Sequence, residues 1–291
     1  IRSYSSNKND IRGIPSGFKR LDKATLGFQK GDLIILSARP SMGKTALALN
    51  FAINSIIKRN GKGTVAIFSV EMPKEQLMRR ILSSQCQINS ADLSRAIADE
   101  SKADKIQAVF QRLSSYNLFI DDSSTIKLSD IQAKTRNLKK QHDDLQLVVV
   151  DYIGLVQANN SKGDNRQQEV AEISRGLKAL ARELEVPVIC LAQLSRLVER
   201  RPDKRPMLSD LRESGAIEQD ADLVLFIYRD EYYAQKKESD AKEETNPVAE
   251  VIVAKHRNGP TGKVNLLFTK EFGTFSNYIS NDQVSRYGGE D

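Results

Sequence analysis

The chain has 291 residues, 40% of them hydrophobic, which is enough to bury a sizeable core in one or two domains. Its formal net charge of +6 weakly favours a polyanionic partner. Two cysteines and two histidines exclude a disulfide framework and argue against a zinc enzyme, and the longest apolar run is too short to cross a membrane, so we expect a cytoplasmic protein with no membrane partner.

Residues 1–12 are polar and are expected to be a tail or the end of a linker, which leaves 13–291 as one domain. After them, short apolar runs alternate with helical patterns. Strands are predicted at 33–38, 64–70, 117–122, 145–151, 186–193 and 221–229, and helices at 43–58, from 73, and at 90–114, 129–141 and 165–184.

Two further apolar runs, "VAEVIVAKH" and "GKVNLLFTK", flank an Asn-Gly-Pro turn and predict a C-terminal β-hairpin. Nearly continuous apolar strands that alternate with helices are typical of a parallel sheet that is covered on both faces. The sequence therefore predicts an α/β fold with a mostly parallel central sheet flanked by helices.

The segment "ARPSMGKT" (38–45) follows a predicted strand and opens a predicted helix, as a P-loop does. Backbone N–H groups of such a loop surround phosphates, while Lys44 is expected to reach the β- and γ-phosphates and Thr45 to ligate Mg²⁺. The usual pattern begins with Gly, so Ala38 is a mild departure. The predicted cofactor-binding residues are Ala38, Arg39, Pro40, Ser41, Met42, Gly43, Lys44 and Thr45.

Three polar residues end predicted strands. Asp151 closes "LVVVD", and beside a P-loop such a carboxylate supports Mg²⁺, although alone it would be an ordinary strand-end acid. Glu71 in "AIFSVEM" could orient and deprotonate an attacking water, and a solvated acid is an equal alternative. Gln193 in "CLAQLSR" could sense the γ-phosphate, and a polar strand end is again an equal alternative.

Taken together, the motifs resemble the C-terminal ATPase domain of the DnaB-type replicative helicases, of bacterial or phage origin. The likeness extends from about residue 13 to 275, and the motifs keep the family's order. It rests on "GIPSGFKRLDKATLGFQKGDLIILSARPSMGKT", "IFSVEM", "VVVDYIGL", "DNRQQEVAEISRGLKALARELEVPVICLAQLSR", "DKRPMLSDLRESGAIEQDADLVLFIYRDEYY" and "KHRNGPTG". The family's N-terminal domain has no counterpart in this sequence, so we expect residues 1–12 to be the end of an interdomain linker.

The resemblance implies a RecA-like P-loop NTPase fold, a homohexameric ring, and hydrolysis of ATP with Mg²⁺ at subunit interfaces. It also implies 5′ to 3′ translocation along single-stranded DNA, unwinding of the duplex, and a helicase loader and a primase as further partners. By motif match, Lys44 and Thr45 bind phosphate and Mg²⁺, and Asp151 supports the metal. Glu71 matches the catalytic base and Gln193 matches the glutamine that senses the γ-phosphate.

Two cations in "AKHRNGP" (254–260), Lys255 and Arg257, point the same way if the segment is a strand end. The resemblance matches them to cations that a neighbouring subunit inserts into the ATP site. Such a cation can accelerate phosphoryl transfer by about 10³–10⁵-fold. The alternative is that they decorate an exposed hairpin. We expect His256 on the opposite strand face and assign it no role.

Two loops are expected to face the channel of such a ring, namely 157–168 and 196–215. The second is strongly basic and has no aromatic residue, which indicates phosphate contacts rather than base stacking. The family's DNA-contacting loop matches "RESG", so DNA binding is predicted for Arg212, Glu213 and Gly215. It is also predicted for Arg201, Lys204 and Arg205, for which a subunit interface or loop positioning is the alternative.

The segment "FIYRDEYY" (226–233) follows the last strand before the hairpin. Arg229, or one of Tyr228, Tyr232 and Tyr233, could stack on the adenine, and ordinary packing is at least as well supported. Arg229 is the residue that we predict to bind the nucleotide.

Two other functions remain open from the sequence. A recombinase-like protein would use the same fold and ATP site to build a filament on DNA, with ATP as an assembly switch. A nucleotide-binding regulator would hydrolyse ATP without stimulation by single-stranded DNA.

Overall fold

The computed structural model describes residues 11–97, 99–159, 166–211, 215–234 and 247–278. The helices in these ranges are α1 (Lys19–Thr25), α2 (Lys44–Ile57), α3 (Lys74–Cys86), α4 (Leu93–Ile97), α5 (Glu100–Ser114), α6 (Leu128–Gln141), α7 (Arg166–Leu184), α8 (Gly215–Asp220) and α9 (Asp230–Ala234). The strands are β1 (Leu33–Ala38), β2 (Thr64–Ser69), β3 (Leu118–Asp121), β4 (Leu145–Asp151), β5 (Val188–Gln193), β6 (Leu223–Tyr228), β7 (Val248–His256), β8 (Gly262–Thr269) and β9 (Thr274–Asn277).

One sheet contains these strands in the order β3-β2-β4-β5-β1-β6-β7-β8-β9. The pairings among β1 to β6 are parallel, and β7, β8 and β9 continue the sheet with antiparallel pairings. The predicted α/β fold, with its mostly parallel sheet and its C-terminal hairpin, is confirmed.

The sheet is buried on both faces because successive strand residues point in opposite directions. In β1, Ile34 and Leu36 pack in the core that contains α2, whereas Leu33 and Ile35 pack in the core that contains α7. Phe51 of α2 is fully buried and meets two other phenylalanine rings edge to face, at centroid distances of 5.8 and 5.1 Å. Each such ring pair contributes about 0.5–1.5 kcal/mol beyond its burial.

The differences from the predicted elements are local. The helix predicted over 90–114 is divided into α4 and α5, because the Asp99 side chain accepts a hydrogen bond from the Ser101 N–H at 3.1 Å and starts a new helix. Helices α1, α8 and α9 and strand β9 were not predicted. Among the described residues no helix has the length and apolar character that a membrane span needs.

The two ends of the parallel strands define two edges of the sheet. At the carboxyl edge, where β1 to β6 end, Ala38 pairs with Gln193 and Ser69 pairs with Asp151. At the amino edge, where these strands begin, the antiparallel β7 ends instead, with His256 opposite Leu223. A strand of six residues puts roughly 20 Å between the two edges.

Candidate nucleotide-binding site

The P-loop connects β1 to the first turn of α2 at the carboxyl edge. Gly43 has φ +95°, and a Cβ atom there would lie 2.9 Å from the Phe275 ring, so both backbone and neighbours require glycine. Ser41 also has a positive φ, of 67°. The N-terminus of α2 therefore opens directly behind the loop, where free N–H groups and the helix dipole favour a phosphate.

A compact polar cluster lies at the start of α2. The Thr45 hydroxyl donates a hydrogen bond of 2.8 Å to Asp151 Oδ2, and Lys44 Nζ is 3.8 Å from Asp151 Oδ1. Lys44 Nζ also lies 4.7 Å from the centre of the Tyr152 ring. Burial lowers the pKa of Lys44, although the carboxylates of Asp151 and Glu71 oppose this shift. The cluster is therefore a buried cation held beside one buried carboxylate.

The same cluster fits a magnesium ion. Asp151 is buried, and its Oδ1 atom has no hydrogen-bond partner among the described residues. A carboxylate and a hydroxyl are hard oxygen ligands of the kind that Mg²⁺ prefers. No group of three or more His, Cys, Asp or Glu side chains that could hold a metal occurs in the described part of the chain. The remaining ligands of Mg²⁺ would therefore be water and substrate phosphates, which is usual for this ion.

A cavity of about 520 Å³ opens above the cluster. Glu71 and Gln193 both line it together with the P-loop, so the structure brings these predicted residues together. Arg80 of α3 and Lys270 after β8 also line the cavity, and the sequence analysis missed both. They belong to no motif with a fixed spacing, and only the tertiary fold brings them to the site.

Arg39 of the P-loop contacts the segment that follows Gln193. Its guanidinium donates a hydrogen bond of 2.9 Å to the Leu194 carbonyl and pairs with Glu199 at 3.0 Å. Because Gln193 precedes Leu194 directly, Arg39 connects the P-loop with the end of β5 and with the start of the basic loop (196–215).

The residues proposed for the adenine are mostly engaged in packing. Arg229 is buried, with its guanidinium 4.3 Å from the centre of the Phe268 ring and 3.3 Å from the Ser41 carbonyl. Tyr228 stacks on Tyr233, with ring centroids 5.9 Å apart. Arg229 thus supports the P-loop from behind, while its contact with adenine stays a prediction.

The basic loop is only partly described, since Arg212 and Glu213 lie outside the described residues. Gly215 begins α8, and a Cβ atom there would meet nothing within 4 Å among the described atoms. Arg201 pairs with Asp210 at 2.7 Å, Arg205 pairs with Glu250 at 2.7 Å, and Lys204 lies 4.6 Å from the centre of the Tyr233 ring. These contacts favour loop positioning, the alternative that the sequence left open for Arg201, Lys204 and Arg205.

Lys255 and Arg257 lie at the amino edge, opposite the P-loop. Both point the same way, as predicted, because Lys255 Nζ donates to the Glu218 carbonyl at 2.5 Å and Arg257 donates to the Gln219 carbonyl. Burial and the neighbouring Arg257 lower the pKa of Lys255. The structure therefore does not bring these two cations to the P-loop of the same chain.

Comparisons with known proteins were consistent with one another. The family description "DnaB-like helicase C terminal domain" matches residues 13–277. The replicative DNA helicase DnaC of Bacillus subtilis is 50% identical over 95% of the chain and 59% of its own length, and replicative DNA helicase DnaB of Geobacillus stearothermophilus is 51% identical over the same shares. The chain thus spans about three fifths of the length of the curated relatives that it matches.

Solved structures show the same likeness. The ATPase domain of G40P superposes with a TM-score of 0.85 at 41% identity, over 94% of this chain and 93% of that one. A DnaB-like replicative helicase, studied with its primase interactions, gives a TM-score of 0.85 at 42% identity, over 96% of this chain and 64% of that one. The RecA-like character of the fold is confirmed by these neighbours.

Proposed function

The chain belongs to the DnaB-like helicase C-terminal domain family, and on this premise we propose that it is the ATP-hydrolysing motor of a replicative DNA helicase. Its work is to hydrolyse ATP with Mg²⁺ at the interfaces of a homohexameric ring, to translocate 5′ to 3′ on single-stranded DNA, and to unwind the duplex. A motor of this kind acts in the cytoplasm, as the cysteine content led us to expect.

One observation carries this proposal. The phosphate-binding cluster of Lys44, Thr45 and Asp151 lies at the carboxyl edge, whereas Lys255 and Arg257 lie at the amino edge, roughly 20 Å away. A cation that stabilises the charge of the transferred phosphoryl group must lie next to it. Lys255 and Arg257 can therefore complete an ATP site only on a second copy of the chain.

Each residue of the site has a separate role in ATP hydrolysis. Lys44 binds the β- and γ-phosphates, and Glu71 orients the attacking water and accepts its proton. Bound Mg²⁺, held through Thr45 and Asp151, would neutralise charge on the β- and γ-phosphate oxygens. Arg257 of the neighbouring copy, assisted by Lys255, stabilises the charge that spreads over the γ-phosphate in the transition state.

Gln193 couples hydrolysis to DNA in this scheme. It pairs with Ala38 in the sheet and directly precedes the segment that Arg39 binds. Loss of the γ-phosphate would shift the end of β5 and with it the basic loop, which contains the predicted DNA-contacting residues Arg212, Glu213 and Gly215. Single-stranded DNA, a helicase loader and a primase are the partners that this function requires, and a primase interaction is named for one structural neighbour.

The test is a complementation assay with Arg257→Ala and Glu71→Ala. Each variant alone should be nearly inactive in DNA-stimulated ATP hydrolysis. When the two are mixed and subunits exchange, activity should return, because an intact Glu71 on one copy meets an intact Arg257 on another. If labelled subunits demonstrably mix and no activity returns, the proposed interface mechanism is wrong.

The unmodified chain, assembled on single-stranded DNA, tests the two other functions, a recombinase-like filament protein and a nucleotide-binding regulator. Closed rings on single-stranded DNA support the helicase, whereas helical filaments would support a recombinase-like protein. The relatives in Bacillus subtilis and Geobacillus stearothermophilus are replicative helicases, so no observation favours the filament. Hydrolysis that single-stranded DNA does not stimulate would indicate a regulator.

A further inference from the structure

A buried charge cluster lies behind Arg257 at the amino edge. Its centre is Asp222, whose side chain is 7% exposed and whose Oδ2 atom accepts a hydrogen bond of 2.8 Å from the Leu33 N–H. The ammonium group of Lys178 contacts the same oxygen, and Arg257 NH1 lies 3.4 Å from the other oxygen, Oδ1. The Asp222 carbonyl also accepts the Arg257 N–H at 2.8 Å. Asp222 therefore holds Arg257 at two points, the backbone through its carbonyl group and the guanidinium through its carboxylate.

The end of α8 supplies the other contacts of the two cations. The last carbonyl groups of a helix have no partner within the helix and attract positive charge. Here the Glu218 carbonyl binds Lys255 at 2.5 Å and the Gln219 carbonyl binds Arg257. Asp222 follows this helix by two residues, so the helix end and the carboxylate hold Lys255 and Arg257 as one unit.

Both elements that meet in this cluster begin at a predicted DNA-facing loop. Helix α8 starts at Gly215, the last residue of the "RESG" segment. Helix α7 starts at Arg166 within the other loop, 157–168, and Lys178 lies about 18 Å further along its axis. One helix therefore connects each of these loops with the cluster that holds Arg257.

We propose that Asp222 is the positioning residue for Arg257 in ATP hydrolysis on the neighbouring copy. In this proposal both DNA-facing loops adjust the position of Arg257 at the Asp222 carboxylate, one through Lys178 of α7 and the other through α8. The proposal rests on the proposed function, since it assigns a role to a residue that serves the site between copies. Asp222 is assigned no contact with substrate, because its side chain is 7% exposed and lies behind Arg257.

The ordinary alternative is that the cluster only stabilises the fold. Removing one member of a buried ion pair is destabilising, since it leaves the other charge without a partner. Loss of activity alone would therefore not distinguish the two roles. A complementation pattern does, because a destabilised subunit fails with every partner, whereas a subunit with a misplaced Arg257 fails only with partners that also lack that cation.

The experiment uses Asp222→Asn, which keeps the shape of the side chain and removes its charge. We expect its DNA-stimulated kcat to fall at least tenfold, with the KM for ATP unchanged. Mixed with Glu71→Ala it should regain activity, because its own Glu71 receives a well-placed Arg257. Mixed with Arg257→Ala it should not, because no site in that mixture has such a cation.

Two controls keep this result interpretable. Lys178→Gln removes the α7 contact of the cluster and leaves Asp222 unchanged. It should also regain activity with Glu71→Ala and not with Arg257→Ala. This variant therefore tests the proposal if Asp222→Asn does not fold. Glu183→Gln, on the same helix, breaks an exposed pair with Arg136 at 2.7 Å and should leave activity unchanged.

The outcomes separate the inference from the function on which it rests. If Glu71→Ala and Arg257→Ala restore each other but Asp222→Asn regains activity with Arg257→Ala, or is fully active alone, the role of Asp222 is overturned. If the reference pair itself fails although subunits mix, the proposed function fails first.

Discussion

The two edges of the sheet contain similar charges but use them differently. At the carboxyl edge, Asp151 Oδ1 is buried and has no hydrogen-bond partner among the described residues, and its neighbours Lys44 and Thr45 line a cavity of about 520 Å³. At the amino edge, Asp222 is contacted by a backbone N–H, an ammonium group and a guanidinium. A buried carboxylate oxygen without a hydrogen-bond partner can still bind a ligand, whereas a carboxylate with both oxygens in contact holds a neighbouring side chain in place.

The largest expected effect is a fall in kcat, and it separates a residue that acts in ATP hydrolysis from one that binds ATP. Arg257→Ala should lower kcat by about 10³–10⁵-fold, because it removes a cation that acts only as charge develops on the γ-phosphate. Its affinity for ATP, measured by titration with a fluorescent nucleotide, should stay unchanged. Lys44→Ala, the counterpart at the carboxyl edge, should weaken nucleotide binding itself. Equal losses of affinity in both variants would show that the two edges are not separate in function.

An effect of intermediate size is expected in the free energy of unfolding, because two carboxylates lie close together at the amino edge. Burial and the nearby Asp222 carboxylate raise the pKa of Asp32 from its ordinary value of 3.8 to about 6. The folded state therefore binds more protons than the unfolded state between these values, and stability falls as pH rises through this window. Asp32→Asn should remove that loss and stabilise the protein at pH 7 by at most about 3 kcal/mol.

Urea unfolding at pH 4 and at pH 7 measures this change. Glu183→Gln is the matched control, since the hydrogen bond from Arg136 lowers the pKa of that exposed carboxylate. The control should not gain stability at pH 7. If Asp32→Asn shows the same pH dependence as the unmodified chain, the amino edge is not electrostatically strained.

The smallest expected effects concern the basic loop that runs along the carboxyl edge. Arg205→Ala should cost about 0.2–1 kcal/mol of stability, because its pair with Glu250 is partly exposed, and should not change DNA affinity. Arg212→Ala should weaken single-strand binding and reduce its salt slope by about one. A titration across salt concentrations measures both. If Arg205→Ala reduces the slope as much as Arg212→Ala, the positioning role of Arg205 is wrong.

Much of this arrangement could be predicted from the sequence. The buried strands are continuous apolar runs, and the P-loop is a local motif whose parts are adjacent in the chain. The Asp222 cluster could not be predicted in the same way, because Lys178, Asp222 and Arg257 lie on three elements that only the folded sheet brings together. The pair of Arg205 with Glu250 could not be predicted for a related reason, since Glu250 lies far along the chain, and the DNA contacts of the basic loop stay a prediction.

The reversal of chain direction between β6 and β7 has a consequence for symmetry. It is this antiparallel pairing that takes Arg257 away from the edge where the P-loop lies. Under the proposed function, the surface that supplies the cation and the surface that receives it are different patches, so the contact between copies would be heterologous rather than two-fold. A pair of subunits would always leave one patch of each kind unused, and only a closed cycle of identical head-to-tail contacts leaves none.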